Sequence, residues 1–358
     1  MTKSSNAISK WSYYLLILPV VLLLCGWQGW KLWNWAIAPT ASSLTQEDDA
    51  VQIHIPSGTA GQQIGAILAD AGIIRSAEAW EIWSRWKGFQ ESGGGFKAGT
   101  YKLSPSQPLP TVAEKIWNGE VMQLSFTIPE GWTIAQMASY FESIGYFPAE
   151  DFIAATQNIP YEQYPWLPAD IPHLEGFLYP DTYKLGSDRV SPEQIVQIML
   201  GHFEKIALPV YEEARGSTNL SLAEWVALAS IVEKESVVGE ERTLISGVFN
   251  KRLNIGMRLQ SDPTVEYGLG IRQTADQPLT YAQVETASPY NTYMNPGLPP
   301  TAIAAPGVES LRATLNPEET EYLYFVARYD GTHVFSKTLA AHEAATRAIR
   351  RQRQAQNN

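Results

Sequence analysis

The sequence predicts an α+β protein: one N-terminal transmembrane helix, a small β-α module, and a larger mixed α+β domain. Three observations carry this prediction. Trp11 to Trp30 contains no charged residue, a strand-turn-helix pattern occurs at Ile53–Ile74 and again at Phe126–Phe147, and the C-terminal half alternates helical periodicity with Pro/Gly-rich and hairpin segments. The expected order is a tail over 1–10, a span over 11–35, a linker over 36–50, the small module over 51–124, the large domain over 125–350 and a polar tail over 351–358.

The span reads WSYYLLILPVVLLLCGWQGW, and about 20 helical residues at roughly 1.5 Å each cross a bilayer core of about 30 Å. Trp11, Tyr13 and Tyr14 at one end and Trp27, Trp30, Trp33 and Trp35 at the other fit interfacial belts. Lys3 and Lys10 precede the span, whereas Glu47, Asp48 and Asp49 follow it, so the N-terminus is expected in the cytoplasm and the rest outside it. A cleaved leader is the competing reading, through the small-x-small site Ala36-Ile37-Ala38, and Pro39 directly after it disfavours cleavage.

In the repeat, Ile55-Pro56, Gly58, Gln63 and Gly72 match Ile128-Pro129, Gly131, Gln136 and Gly145 in register. Each copy predicts a short strand, a Pro-x-Gly turn and an amphipathic helix closed by glycine. Between the copies, Gly99–Leu103 reads as a strand and Thr111–Asn118 as a helix. Pattern alone leaves open whether such a module binds glycan or only packs.

In the large domain, helices are expected over Pro192–Leu208 and, with Ser221 as N-cap, over Leu222–Lys234. On a helical wheel Leu222, Val226, Ala229 and Glu233 share one stripe, while Glu235 points about 160° away. Glu233 is thus the expected buried acid and Glu235 the solvent-facing one. A carboxyl withdrawn from water tends to stay protonated and can donate a proton to a leaving oxygen, as cleavage of a glycosidic bond requires. The alternative is a structural ion pair with Arg242 or Arg252.

Downstream, Val248–Gly270 reads as helix, turn, extended segment and then a helix capped by Asp262 with Pro263 in its first turn. Gln260, Ser261, Asp262 and Thr264 gather polar groups at that helix start, with Tyr267 one turn further on. Ser288–Gly307 is too rich in Pro and Gly for regular structure, and Tyr290, Asn291 and Tyr293 make it a candidate cleft wall. Tyr322–Ser336 reads as a hairpin turning at Asp330-Gly331, with His333 on its surface.

Composition narrows the chemistry. A net charge of −11 argues against nucleic acid as a partner. The single cysteine, Cys25, lies in the first apolar stretch, so no disulfide or Cys-based metal site is expected beyond it. Five histidines without an HExxH pattern give no zinc-site signature, and no Gly-rich phosphate loop or G-x-S-x-G elbow occurs. No cofactor is expected, and carboxylate chemistry on a sugar-like substrate remains.

LEGFLYPDTY, ALASIVEKES, VFNKRL, MRLQSDPTVEYG, SPYNTY, GLPPTAIAAPG, YLYFVA and GTHVFS occur in this order, and with them the chain resembles the endolytic murein transglycosylase, or YceG-like, family. The resemblance implies a lyase that cuts the β-1,4 bond between N-acetylmuramic acid and N-acetylglucosamine in nascent peptidoglycan and leaves 1,6-anhydro ends. It places the catalytic acid/base on Glu233, the first glutamate of ALASIVEKES. It further implies saccharide contacts around Gln260–Tyr267 and Tyr290–Tyr293, a substrate-cleft or supporting role for Glu175, a LysM-like small module, attachment to the plasma membrane, and partnership with wall-synthesis enzymes. A muramidase hydrolysing the same bond and a non-catalytic wall-binding scaffold are the alternatives.

Overall fold

The computed structural model describes residues 7–41, 49–91, 94–122, 124–185, 190–274, 277–328 and 330–356, with side chains from Leu18 onward. The architecture is mixed α+β, built among the described residues from helices and three two-stranded sheets. The chain divides into two compact units, Met1–Leu124 with Lys184–Asp188, and Ser125–Tyr183 with Arg189–Asn358.

The first unit begins with α1 (Ala7–Ile37). Among the described residues no helix is long and apolar enough to cross a membrane. The expected span overlaps α1, but the side chains of Trp11, Tyr13 and Tyr14 lie outside the described ones. The described part carries Gln28, Lys31 and Asn34. Most of the linker, residues 42–48, also lies outside the described residues.

Next come β1 (Val51–Ile55), α2 (Gly61–Asp70), α3 (Ala77–Gln90), β2 (Gly99–Leu103) and α4 (Leu109–Asn118). β1 and β2 pair antiparallel, with Ile53 opposite Tyr101 and Ile55 opposite Gly99. Alternating burial along β1 turns Ile53 and Ile55 inward, where Ile64 and Leu68 of α2, Trp80 of α3 and Val112 and Ile116 of α4 complete one core. Trp33, Ala36 and Ile37 at the end of α1 pack on that core.

β3 (Leu124–Thr127) pairs with β4 (Thr182–Leu185), and the second unit contains α5 (Ile134–Ser143) and α6 (Ala149–Gln157). α7 (Pro192–Ile206) and α8 (Leu208–Ala214) follow as two helices where one was expected. Pro209, in the first turn of α8, has no N–H to continue the first helix's ladder, so the chain restarts there.

α9 (Leu222–Glu235) is the central helix. Ser221 caps it, accepting from the Glu224 N–H while the Glu224 carboxylate accepts from the Ser221 N–H at 2.8 Å. Trp225 to Val232 are all buried, eight in succession, so the helix has no solvent face along its middle. The one-stripe expectation fails for that reason: a helix covered on all sides does not sort its residues by wheel position.

The chain continues through α10 (Arg242–Asn254), α11 (Asp262–Leu269), α12 (Tyr281–Val284) and α13 (Val308–Leu315), then β5 (Tyr324–Ala327), β6 (His333–Ser336) and α14 (Leu339–Gln356). Ser261, with extended backbone, stands at the N-cap of α11 where Asp262 was expected. The antiparallel β5–β6 hairpin forms as expected, but His333 is buried rather than surface-facing, because its ring Nδ1 pairs with Glu241 Oε2 at 2.7 Å.

Candidate active site

Glu233 sits on the last turn of α9 with its side chain 8% exposed. The Gly307 N–H, at the N-cap of α13, donates to its Oε2 at 3.0 Å, and Arg242 Nη2 stands 3.8 Å from Oε1. A helix-start amide and a guanidinium both suit a carboxylate. Of the two structural pairings foreseen, the Arg242 contact is therefore present. Arg252 is committed elsewhere, donating to the carbonyls of Leu259 and Leu323 with its guanidinium over the Tyr324 ring.

Glu235 is not the solvent-facing partner that the wheel suggests. It is partly buried and accepts from the Ser261 hydroxyl at 2.6 Å. Burial pushes its carboxyl up to about 7; Asp262 and Glu266 add to this, and the Ser261 bond and Arg252 oppose it. The ALASIVEKES helix thus carries two acids out of water, one toward Gly307 and the other toward α11.

Glu175 is a third such acid, 2% exposed, and burial pushes its carboxyl up to about 8. It accepts from the Ile134 N–H at the start of α5 and from the Tyr267 hydroxyl at 3.1 Å. Its place is under the first turn of α5, as a brace between α5 and α11.

The other expected saccharide contacts mostly bond to one another. Thr264 and Thr292 share a hydrogen bond at 2.8 Å, Tyr293 donates to Asp262 at 2.6 Å, and Tyr290 shares one with Thr301 at 3.1 Å. Asn291 is buried and donates to the carbonyls of Val284 and Thr286. Ser261 and Thr264 are likewise buried, and the ring of Tyr267 meets that of Tyr290 edge-on at 4.8 Å. Gln260 is exposed and takes a left-handed φ of 49°, its N–H donating to the Thr292 carbonyl. These residues form a hydrogen-bonded wall behind the α9 acids, and Gln260 is the member whose side chain faces solvent.

Sequence reasoning missed Glu130. It lies in the Pro-x-Gly turn of the second repeat, and the turn is laced to the segment before α13: Gly131 N donates to the Ala305 carbonyl and Ala305 N to that of Trp132, both at 2.8 Å. A Cβ placed on Gly131 would stand 3.8 Å from Glu233 Cγ, and one on Gly307 would fall 1.9 Å from Glu130 Oε1. The signal available in the sequence was the one change within the Pro-x-Gly turn of the two copies, Ser57 against Glu130. Beside this turn opens a cleft of about 500 Å³ lined by Trp132, Gln136, Ser139, Tyr140 and Arg272, with the Trp132 and Tyr140 rings edge-on at 5.5 Å. Among the described residues no cluster of His, Cys, Asp and Glu could hold a metal ion.

The YceG-like family model matches residues 53–348. The endolytic murein transglycosylase of Bacillus subtilis is 32% identical over 308 residues, covering 82% of this chain and 83% of the relative. That of Streptococcus pneumoniae (serotype 2, strain D39) is 31% identical over 306 residues, covering 77% of this chain and 54% of the longer relative. A crystal structure from Listeria monocytogenes, described as YceG-like, aligns at a TM-score of 0.57 and 33% identity, covering 84% of this chain and 100% of that one. The family match spans both repeat copies and every element that holds Glu233, and the chain belongs to the YceG-like family.

Proposed function

We propose that this chain is an endolytic lytic transglycosylase of peptidoglycan with Glu233 as its acid/base. The observation that carries the reading is the Glu233 carboxyl itself, largely withdrawn from water, backed by one backbone amide and facing the loop of a second carboxylate. In the first step Glu233 gives its proton to the glycosidic oxygen as the C1–O4 bond breaks. In the second, the muramic C6 hydroxyl oxygen bonds to C1 and its proton passes to the Glu233 carboxylate. One group thus returns to its starting state, and the product is a 1,6-anhydro end with no water consumed.

The saccharide is read as lying in the Trp132–Tyr140 cleft, with the wall from Ser261 to Tyr293 holding α9 in place and Gln260 at its open edge. Attachment to the membrane through α1 is part of the same reading. Leu18, Leu22, Leu23, Trp30 and Leu32 each expose more than half of their surface in this helix. The remainder of the chain is then extracytoplasmic, where nascent glycan is found. The βααβ order of the first unit supports the LysM-like reading of that module.

The test is digestion of purified peptidoglycan followed by mass spectrometry of the released ends. Ends one water lighter than hydrolysed muropeptides are expected. Hydrated ends would make the enzyme a muramidase, and no release would leave a wall-binding scaffold.

A further inference from the structure

The two copies of the repeat build the same turn from different residues. Pro56-Ser57-Gly58 and Pro129-Glu130-Gly131 end on glycines with φ of 82° and 75°, a region that glycine adopts at no steric cost. Since the first copy makes this turn with serine, the turn does not need the carboxylate of Glu130. Its reason must lie in what surrounds it.

What surrounds it is the acid site. Gly307 presents its N–H to Glu233 Oε2 at 3.0 Å and its α-carbon to Glu130 Oε1, which occupies the space where a Cβ would stand. The path from one carboxylate to the other runs through the N–Cα bond of a single glycine, which bounds their oxygens at about 8 Å apart. Glu130 is exposed, and among the described residues no group donates a hydrogen bond to its carboxylate. Around it stand Glu233 from α9, Arg242 from α10 and Glu309 from α13, with Lys234 Nζ 3.3 Å from the Gly131 carbonyl.

We propose that Glu130 is a second functional carboxylate of the reaction, facing the anomeric carbon across Gly307 and stabilising the positive charge that develops there. This rests on the glycan-cleaving reading of the site. Glu130 forms no bond and moves no proton; it supplies fixed negative charge where the sugar becomes oxocarbenium-like, while Glu233 handles the proton. The role requires the ionised form. Partial desolvation and the neighbouring Glu233 push the Glu130 carboxyl up, against the pull of Arg242, so activity should fall on acidification earlier than it would with an unshifted carboxyl.

The test uses the full-length protein and three chains: wild type, Glu130→Gln and Glu130→Ser. The serine variant installs the residue that the first copy's turn already carries, so its fold is expected to survive, and melting temperatures check this. Both variants should lose turnover by about 100-fold with KM within about twofold, and the acidic limb of the wild-type pH profile should disappear. Turnover within about threefold of wild type, with the acidic limb retained, would overturn the proposal. The masses of the released ends are read from the same digests. Hydrated ends would remove the transglycosylase reading yet leave Glu130 judged by the same turnover ratio, because hydrolysis passes through the same charge.

Discussion

The two repeat copies share their local chemistry and differ in its use. In both, a glycine with positive φ follows the turn, at Gly58 and Gly131, and another closes the helix, at Gly72 and Gly145. In both, a glutamine side chain reaches back to the amide before the helix: Gln63 to Ala60 N at 3.3 Å, and Gln136 to Thr133 N at 2.9 Å. Every matched polar or glycine position therefore serves the backbone. The copies part at the turn's central residue, where Ser57 belongs to the small unit and Glu130 meets Glu233 across Gly307. Similarity between the copies marks what the fold needs, and within the turn the residue that differs is the one proposed to act in the reaction.

The largest test of this contrast is Gly307→Ala. The new methyl would overlap the end of the Glu130 side chain, which is free to swing away, so turnover should fall roughly 10- to 100-fold while stability changes by only about 1 kcal/mol. Steady-state kinetics beside a thermal melt checks it; an unfolded variant, or an unchanged rate, would break the contrast.

Next is Glu175→Ala, which strands the Ile134 N–H and the Tyr267 hydroxyl in a buried place and should cost about 2–5 kcal/mol in denaturant unfolding. Glu175→Gln isolates the pH dependence. A carboxyl raised from 4.5 to about 8 binds its proton more tightly in the folded state, so this contribution is full below pH 4.5 and is lost as pH rises to about 8. The glutamine variant should show a flatter decline in melting temperature across that window.

Smaller still, Gly58→Ala and Gly131→Ala should each cost about 1–2 kcal/mol, since both place a Cβ in a left-handed turn with no severe clash nearby. A marked inequality in stability would show that the turns are not equivalent. Smallest is Ser57→Ala, expected within about 0.5 kcal/mol and without effect on turnover.

How much of this could be read in advance follows from contact distance along the chain. The repeat, the capped start of α9 and the β5–β6 hairpin are local, set by glycines, Ser221 and a Asp-Gly turn, and were visible. The helical wheel pointed to Glu233 but misplaced Glu235, because burial of α9 on every face is a property of its neighbours and leaves no trace in its own periodicity. The nearness of Glu130 to the acid site was invisible for the same reason. Its partners, Glu233 and Gly307, are more than 100 residues away, and no spacing rule links a Pro-x-Gly turn to an acid at that distance. The polar residues around Ser261 and Asn291 were legible as candidate saccharide contacts, but most of their hydrogen bonds turn inward, to one another and to the backbone, which no local pattern shows.

The most direct measurement is turnover of peptidoglycan by Glu233→Gln, an isosteric change that keeps an acceptor for the Gly307 N–H but cannot shuttle a proton. A loss of roughly 10³-fold or more with an unchanged melting temperature is expected. Turnover within about tenfold of wild type would show that Glu233 is a structural partner of Arg242 and that the proton is carried by another group.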